Sequence, residues 1–409
     1  MRRAGTAAAG AALVMALAGC GGGSTPAATT PATVNNTLPL VVDKGPSLNG
    51  QTVGFDNSLY TSVSICNPGT ATCQTIDHIL VDTGSSGLRI LSSAIGLAVP
   101  YVTDANKNGI GNCIQFPDSS FQWGPMALVD VHLSEEVASN IPIQIVGPSN
   151  FVGPPTACSA GGVAANTVSS LGANGILGIG LFRQDCGAAC ASSSPPNVYF
   201  TCPAAGCTPT TVALTAQLQN PVWMFPQDNN GLSITLPSVG ASGAATVTGT
   251  LTFGIGSQTN NALGGALAQA ATSKGTFTTT FGGVAYTNSS IDSALGAYYF
   301  LDSATTGLPN CAANGDAAGY YCAPSPVTLT AITSGPNPSS SGTIVSQNLS
   351  LQVWNALTLI DSGNPALSNI GGPNPGAFAW GLPFFYGRTV FVGIEGQTTP
   401  AGPGPFWAY

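Results

Sequence analysis

The chain has 409 residues, enough for one large two-lobed unit or two domains. Only 6% of the residues are charged, with 8 Lys and Arg against 16 Asp and Glu, which excludes a basic nucleic-acid surface. The acidic balance and the richness in Thr, Ser and Gly fit an exported β-protein.

Taken in chain order, residues 1–19 read as a secretion signal. Arg2 and Arg3 open it, and an apolar stretch from Ala7 to Ala18 follows, too short to span a bilayer as a stable helix. It ends in Leu17-Ala18-Gly19-Cys20, which resembles the lipobox read by lipoprotein signal peptidase. That resemblance implies cleavage before Cys20, a diacylglycerol on its thiol, and a membrane as partner through that lipid. Gly21 rather than Asp after the cysteine favours the outer membrane by the same resemblance. Residues 20–38 are then a lipidated cysteine and a flexible tether, Gly- and Pro-bearing from Gly22 to Asn36.

Beyond the tether, short runs rich in Val, Ile, Thr and Phe alternate with Gly, Pro, Asn and Ser, which predicts a mostly β chain with few short helices. The clearest runs are Ile76–Val81, Ala127–Leu133, Ile141–Val146, Leu232–Leu236, Thr246–Phe253, Thr276–Phe281 and Thr389–Ile394. Thr211–Gln219 is short and amphipathic and is the best helix candidate. Thr333–Gly342, rich in Pro, Ser and Gly, is expected as a surface loop. His78 is expected on the solvent face of its strand, and Arg388 in a structural ion pair or loop hydrogen bond.

Of the eleven cysteines, ten remain once Cys20 takes lipid, and an oxidising compartment makes them up to five disulfides. Cys66 with Cys73 and Cys311 with Cys322 are close in sequence. Cys113 and Cys158 are left as a pair. Among Cys186, Cys190, Cys202 and Cys207, nested and adjacent pairings both remain open. Their spacings also resemble zinc-ligand spacings, but export favours disulfides. With His78 and His132 the sole imidazoles, no histidine-rich metal site is expected, and no cofactor.

A repeat runs through the chain. Val81-Asp82-Thr83 aligns with Ile291-Asp292-Ser293. Without gaps, Ile90-Leu91-x-Ser93-Ala94 then falls on Phe300-Leu301-x-Ser303-Ala304. Downstream, Ile176-Leu177-Gly178-Ile179-Gly180 resembles Ala379-Trp380-Gly381-Leu382-Pro383. Asp82 precedes Gly178 by 96 residues and Asp292 precedes Gly381 by 89, so two elements recur in order at similar spacing. This predicts two related β-lobes, residues 39–236 and 237–409.

At these residues the chain resembles the pepsin-type aspartic peptidases. Val81-Asp82-Thr83-Gly84-Ser85-Ser86 matches that family's first active-site loop, and Gly175-Ile176-Leu177-Gly178-Ile179-Gly180 its supporting segment. The resemblance implies two β-lobes with a cleft between them and a catalytic dyad of Asp82 and Asp292. Thr83, Gly84, Ser85 and Ser293 would support the carboxyls, and Gly178 and Gly381 would back the loops. Two carboxylates set close together cannot both ionise cheaply, so one proton is shared. The charged member can activate water, and the protonated member can donate to a peptide carbonyl. The second loop departs from the pattern, because Ala294 and Leu295 stand where Gly and a hydroxyl residue are expected. Asp302 is the rival second aspartate, while Asp361-Ser362-Gly363 reads as a turn. Pepsins carry a flap tyrosine; the matching region here offers Phe121 and Trp123 instead, each of which also fits a core position. Gly381-Leu382-Pro383-Phe384-Phe385-Tyr386-Gly387-Arg388 further resembles a signature of an uncharacterised bacterial family of exported lipoproteins.

Two functions follow from this reading. One is a lipid-tethered aspartic endopeptidase acting on peptide or protein. The other is a catalytically degenerate descendant that keeps the scaffold as a binding or envelope-structure module. Oligomeric state is not legible.

Overall fold

The computed structural model describes residues 34–195 and 197–409. Val34–Tyr409 forms one compact unit. The lipobox, Cys20 and most of the tether lie outside the described residues.

Strand is the main regular structure of the described residues, because β-branched and aromatic residues recur along short runs. The α-helices are single turns of four or five residues, such as Thr156–Ser159 and Ala356–Ile360. None of the described helices is long and apolar enough to cross a membrane.

One sheet of 15 strands carries the first half and continues into the second. In the first half it curls back on itself, since Phe121–Leu133 pairs with Glu136–Val146 and also with Leu59–Cys66. The link between halves runs through Thr37–Val42, Val247–Phe253, Gly231–Leu236 and Arg388–Gly393, all antiparallel to their neighbours. The connection between Leu236 and Val247, where the sequence sets the lobe boundary, joins two adjacent strands of this shared sheet. A second sheet, of seven strands, belongs to the second half alone and includes Val284–Ile291, Tyr298–Leu301 and Asn374–Trp380. One apolar cluster spans both halves, from Leu38 and Val81 through Ile234 to Ile291 and Trp380. The mostly β, two-lobed expectation therefore holds.

Each of the seven expected strands lies within, or one residue from, an observed one. Two expectations fail. Thr211–Gln219 is not a helix: only a 3-10 turn, Leu214–Ala216, forms. A nine-residue segment gains little as an isolated helix, and its side chains are used elsewhere. Gln217 Nε2 donates to the carbonyls of Gly187 and Val212, and Gln219 Nε2 to that of Leu214. Thr333–Gly342 is not wholly loop. The strand Cys322–Pro336 runs into it and pairs with Ile344–Asn355 as far as Pro336 opposite Ile344. Thr333 is fully buried, its hydroxyl 2.6 Å from that of Tyr409, which anchors the strand beyond the point where composition suggests it ends.

Five disulfides form, Cys66–Cys73, Cys113–Cys158, Cys186–Cys190, Cys202–Cys207 and Cys311–Cys322. The four-cysteine group pairs adjacently, which leaves no free thiolates there for zinc.

Candidate active site

Two loops of like construction meet at the centre of the molecule. In the first, the strand Cys73–Asp82 ends on Asp82. It runs parallel to Gly175–Ile179, with Asp82 opposite Gly178, and Ser86–Leu91 returns antiparallel on the far side of the same strand. The residues between must therefore turn sharply over Gly178. A Cβ on Gly178 would lie 2.8 Å from Ser85 Oγ and from the Ser86 nitrogen. No side chain fits there, so the glycine is needed for packing.

The second loop repeats this. Val284–Ile291 leads into Asp292 and runs parallel to Asn374–Trp380, with Ile291 opposite Trp380. The Asp292 amide donates to the Trp380 carbonyl at 3.0 Å. Tyr298–Leu301 returns antiparallel beside the same strand. A Cβ on Gly381 would come within 2.2 Å of the Ala297 carbonyl oxygen. Both supporting glycines thus occupy the places the repeat assigns them.

The loops are locked to each other. The Thr83 amide donates to Ser293 Oγ at 3.1 Å, and the Ser293 amide donates to Thr83 Oγ1 at 3.0 Å. Ser293 Oγ in turn donates to the Val81 carbonyl at 2.7 Å. Both hydroxyl residues are buried, so these bonds are shielded from water.

This lock sets the two carboxyls side by side. Asp82 Oδ1 accepts from the Gly84 amide at 2.7 Å, and its Oδ2 accepts from the Ser85 hydroxyl. Asp292 Oδ1 accepts from the Ala294 amide at 2.8 Å. Asp292 Oδ2 would lie 2.3 Å from a Cβ on Gly84, so only glycine lets the first loop approach the second carboxyl so closely. Burial, and then the negative charge of Asp82, push the Asp292 carboxyl well above the ordinary carboxylate range, while the Ala294 and Gly84 amides pull the other way. That is the direction expected of a buried carboxyl set near a second one, because two close carboxylates cannot both ionise cheaply.

Ala294 keeps the turn that glycine makes in the first loop, because its amide reaches Asp292 as the Gly84 amide reaches Asp82. Leu295, at the position of Ser85, has no hydroxyl to offer.

A cavity of about 490 Å³ opens beside the two loops and is lined by Asp292 but not by Asp82. Its floor is Thr83–Ser86 with Asp292; one wall carries Ile114, Gln115 and Asn197, and the other Lys274 and Trp407. The wall at Ile114 and Gln115 belongs to the hairpin of Gly109–Gln115 with Phe121–Leu133. Phe121 and Trp123 do not line the cavity. They are 5% and 6% exposed, and Trp123 packs edge-on to Phe200, with its indole N–H on the Val152 carbonyl. The flap candidates are therefore core aromatics beside the Cys113–Cys158 disulfide. The hairpin is in the expected place, but its opposite strand faces the cleft.

Asp302 is not the partner of Asp82. It caps the turn Ser303–Thr306, accepting from the Thr305 amide at 2.8 Å, and that hydrogen bonding holds its carboxyl below the usual range. Asp361 ends the helix Ala356–Ile360 in a turn, as expected. Arg388 donates to the Phe384 carbonyl at 2.7 Å. His78 is less exposed than its expected solvent face, at 22% of its side chain. Its backbone lies at φ 47°, and its ring packs on Tyr60 and near Asp43 and Asp77.

Sequence reasoning passed over one cluster beside the cleft. Arg89, 1% exposed, donates from Nη1 to Asn112 Oδ1 and Gln144 Oε1, both at 2.6 Å, and pairs with Asp185 at 3.5 Å. Tyr199 Oη donates to Asp185 at 2.6 Å. The signal was an arginine inside the otherwise apolar run Leu88–Leu91.

A family model described as "Protein of unknown function (DUF3443)" matches residues 32–409. No curated protein matches the chain. Among solved structures, the crystal structure of an aspartic proteinase from Irpex lacteus is similar at 15% identity with a TM-score of 0.47, over 91% of this chain and 96% of that one.

Proposed function

The chain belongs to the family described as "Protein of unknown function (DUF3443)", and from that premise we propose that it is a membrane-tethered aspartic peptidase of the cell envelope. The observation that carries this reading is the reciprocal Thr83–Ser293 bonding, which brings the Asp82 and Asp292 loops together beside a cleft. An extended polypeptide lies in the cleft, with its scissile carbonyl over the pair. The Asp82 carboxylate takes a proton from a water molecule as its oxygen bonds to the carbonyl carbon. Asp292 gives its proton to the carbonyl oxygen, and a gem-diol forms. The C–N bond then breaks as the leaving nitrogen takes the proton from Asp82. A gem-diol hydroxyl returns its proton to Asp292, which restores the singly protonated pair.

The second reading, a binding or envelope-structure module without turnover, is favoured by Leu295, since Asp292 lacks the hydroxyl that Ser85 gives Asp82. A statine-type peptide separates the two, because its hydroxyl mimics the gem-diol. A working pair binds it at least ~10²-fold more tightly than the same peptide without the hydroxyl. Equal binding of both peptides supports the module, and binding of neither sinks the cleft reading altogether.

The membrane tether rests on the lipobox resemblance at Leu17–Cys20. Cys20→Ser is expected to abolish incorporation of labelled fatty acid and to move the protein out of the detergent-dependent fraction. Unchanged membrane extraction would remove the anchor.

A further inference from the structure

The cavity beside the two loops gathers charge that the rest of the chain lacks. The sequence holds 8 Lys and Arg, of which Arg2 and Arg3 lie outside the described residues. Of the others, Arg89 from the first half and Lys274 from the second line this one cavity. The acids that line it are Asp185 and Asp292.

Asp185 is already fully engaged. Its Oδ1 accepts from Tyr199 Oη at 2.6 Å, and its Oδ2 from Asn112 Nδ2 at 3.1 Å and Arg89 Nη2 at 3.5 Å. Arg89, 1% exposed, is held from its other side by Asn112 Oδ1 and Gln144 Oε1. The ion pair is therefore a fixed and internally neutral piece of wall. It leaves one donor over, because Arg89 Nε is buried with no partner. The indole N–H of Trp407, which is 2% exposed and lines the same cavity, also has none. The wall is thus short of acceptors, which is what an anionic, carbonyl-bearing ligand brings.

Lys274 is placed differently. It is exposed in the turn that joins Ala268–Ala270 to Phe277–Phe281. Hydrogen bonds brace this turn: the Thr272 amide donates to the Thr276 carbonyl at 2.9 Å, and the Lys274 amide to Thr272 Oγ1 at 3.2 Å. A Cβ on Gly275 would lie 3.4 Å from the Phe182 ring, so the turn rests against the first half of the chain. The backbone under Lys274 is fixed, yet its ammonium has no counterion. Among the described residues the ion pairs are His78 with Asp43 and Asp77, and Arg89 with Asp185. Asp292 is a poor counterion in acid, since burial and the charge of Asp82 raise its carboxyl.

We propose that the cleft selects acidic polypeptide, with Lys274 as the cation that receives the carboxylate of a Glu or Asp side chain of the bound chain. This rests on the reading of the cleft as a peptide site and adds which peptides it takes. An ammonium that meets a carboxylate in a partly enclosed site makes a charge-assisted hydrogen bond. Asp185 does not compete for the lysine, because its oxygens are filled. A basic side chain at the same place would meet like charge.

Statine-centred peptides with Glu, Gln, Leu or Lys placed in turn at each position flanking the statine test this, by calorimetric titration of the full chain at pH 6. At one position Glu is expected to bind at least ~tenfold more tightly than Gln, and Lys more weakly than either. Lys274→Met should bring that ratio to about one, and Lys274→Arg should keep it. At pH 3 the peptide carboxyl is protonated, so the ratio should fall towards unity in the wild type as well. Binding without a Glu preference at any position overturns the acid selectivity and leaves the cleft a peptide site. A preference that Lys274→Met retains, or that persists at pH 3, also overturns it. Failure of every peptide to bind sinks the cleft reading, and this inference with it.

Discussion

Asp82 and Asp292 end like loops but sit in different hydrogen-bond surroundings. Asp82 accepts from an amide and from the Ser85 hydroxyl, whereas Asp292 accepts from the Ala294 amide and meets Leu295 where the hydroxyl would be. Burial and the charge of Asp82 raise the Asp292 carboxyl, and the proposed peptidase mechanism gives Asp82 the part of the base. Asp82→Asn keeps the shape and the Ser85 contact but cannot take a proton from water. Its kcat/KM on a peptide substrate is expected to fall by about 10²–10⁴-fold, with the melting temperature nearly unchanged. Retained turnover would remove Asp82 from the chemistry. Adding Asp292→Asn should cost little more, because the two groups work as one unit. Asp82 was legible in the sequence because four consecutive residues, Asp-Thr-Gly-Ser, each do a separate job there. Asp292 could be found only through the repeat, since of those four residues its own loop keeps only the aspartate, with Ser293 in place of the threonine.

At the scale of elements, strands were legible where the apolar run was long enough to fix both faces, as in Ile76–Val81 within Cys73–Asp82. Misreadings fell where tertiary partners outweigh local pattern. Gln217 and Gln219 spend their amides on backbone carbonyls instead of riding a helix, and Thr333 is carried into a strand by its buried hydroxyl. Flap residues were misplaced by one strand for a related reason: a hairpin is readable from sequence, but which of its strands faces a cleft depends on what packs behind it. Here the Cys113–Cys158 disulfide, Phe200 and Phe151 gather Phe121 and Trp123 away from the cavity. That disulfide ties residues 45 apart and anchors the hairpin wall of the cleft. Replacing both cysteines with Ser is expected to lower unfolding stability by roughly 3–4 kcal/mol, more than the same change at Cys186–Cys190, whose loop is short. Denaturant titration of the two double variants checks the order. A larger loss at Cys186–Cys190 would mean that chain entropy is not what these bridges supply.

For the whole molecule, charge is so sparse that pH acts through a few buried carboxyls. The chain carries 8 Lys and Arg against 16 Asp and Glu, so net negative charge and self-repulsion grow as pH rises. Few carboxylates gain from ion pairs, since among the described acidic residues only Asp43, Asp77 and Asp185 are in one. The buried acids Asp292 and Glu136 instead have folded values above their unfolded ones. Each contributes stability that is complete below its unfolded value, near 3.8 or 4.5, and is lost as pH rises through the folded value. Asp104 and Asp302 act with the opposite sign. Thr201 with Asn108, and Thr305, hold them low, Asp104 at about 2, so their contribution is lost only as pH falls below the unfolded value of 3.8. The two trends cross between roughly pH 4 and 5. The melting temperature is therefore expected to peak there and to decline steadily towards pH 8. The peptidase proposal expects hydrolysis to follow the same limb, because a pair of this kind is competent only while it holds one proton. Thermal scans and a pH–rate profile from pH 3 to 9 measure both. A melting temperature that peaks at neutral pH would show that surface charges outweigh the buried carboxyls. A rate that persists undiminished into alkaline solution would show that the shared proton is not what limits the reaction.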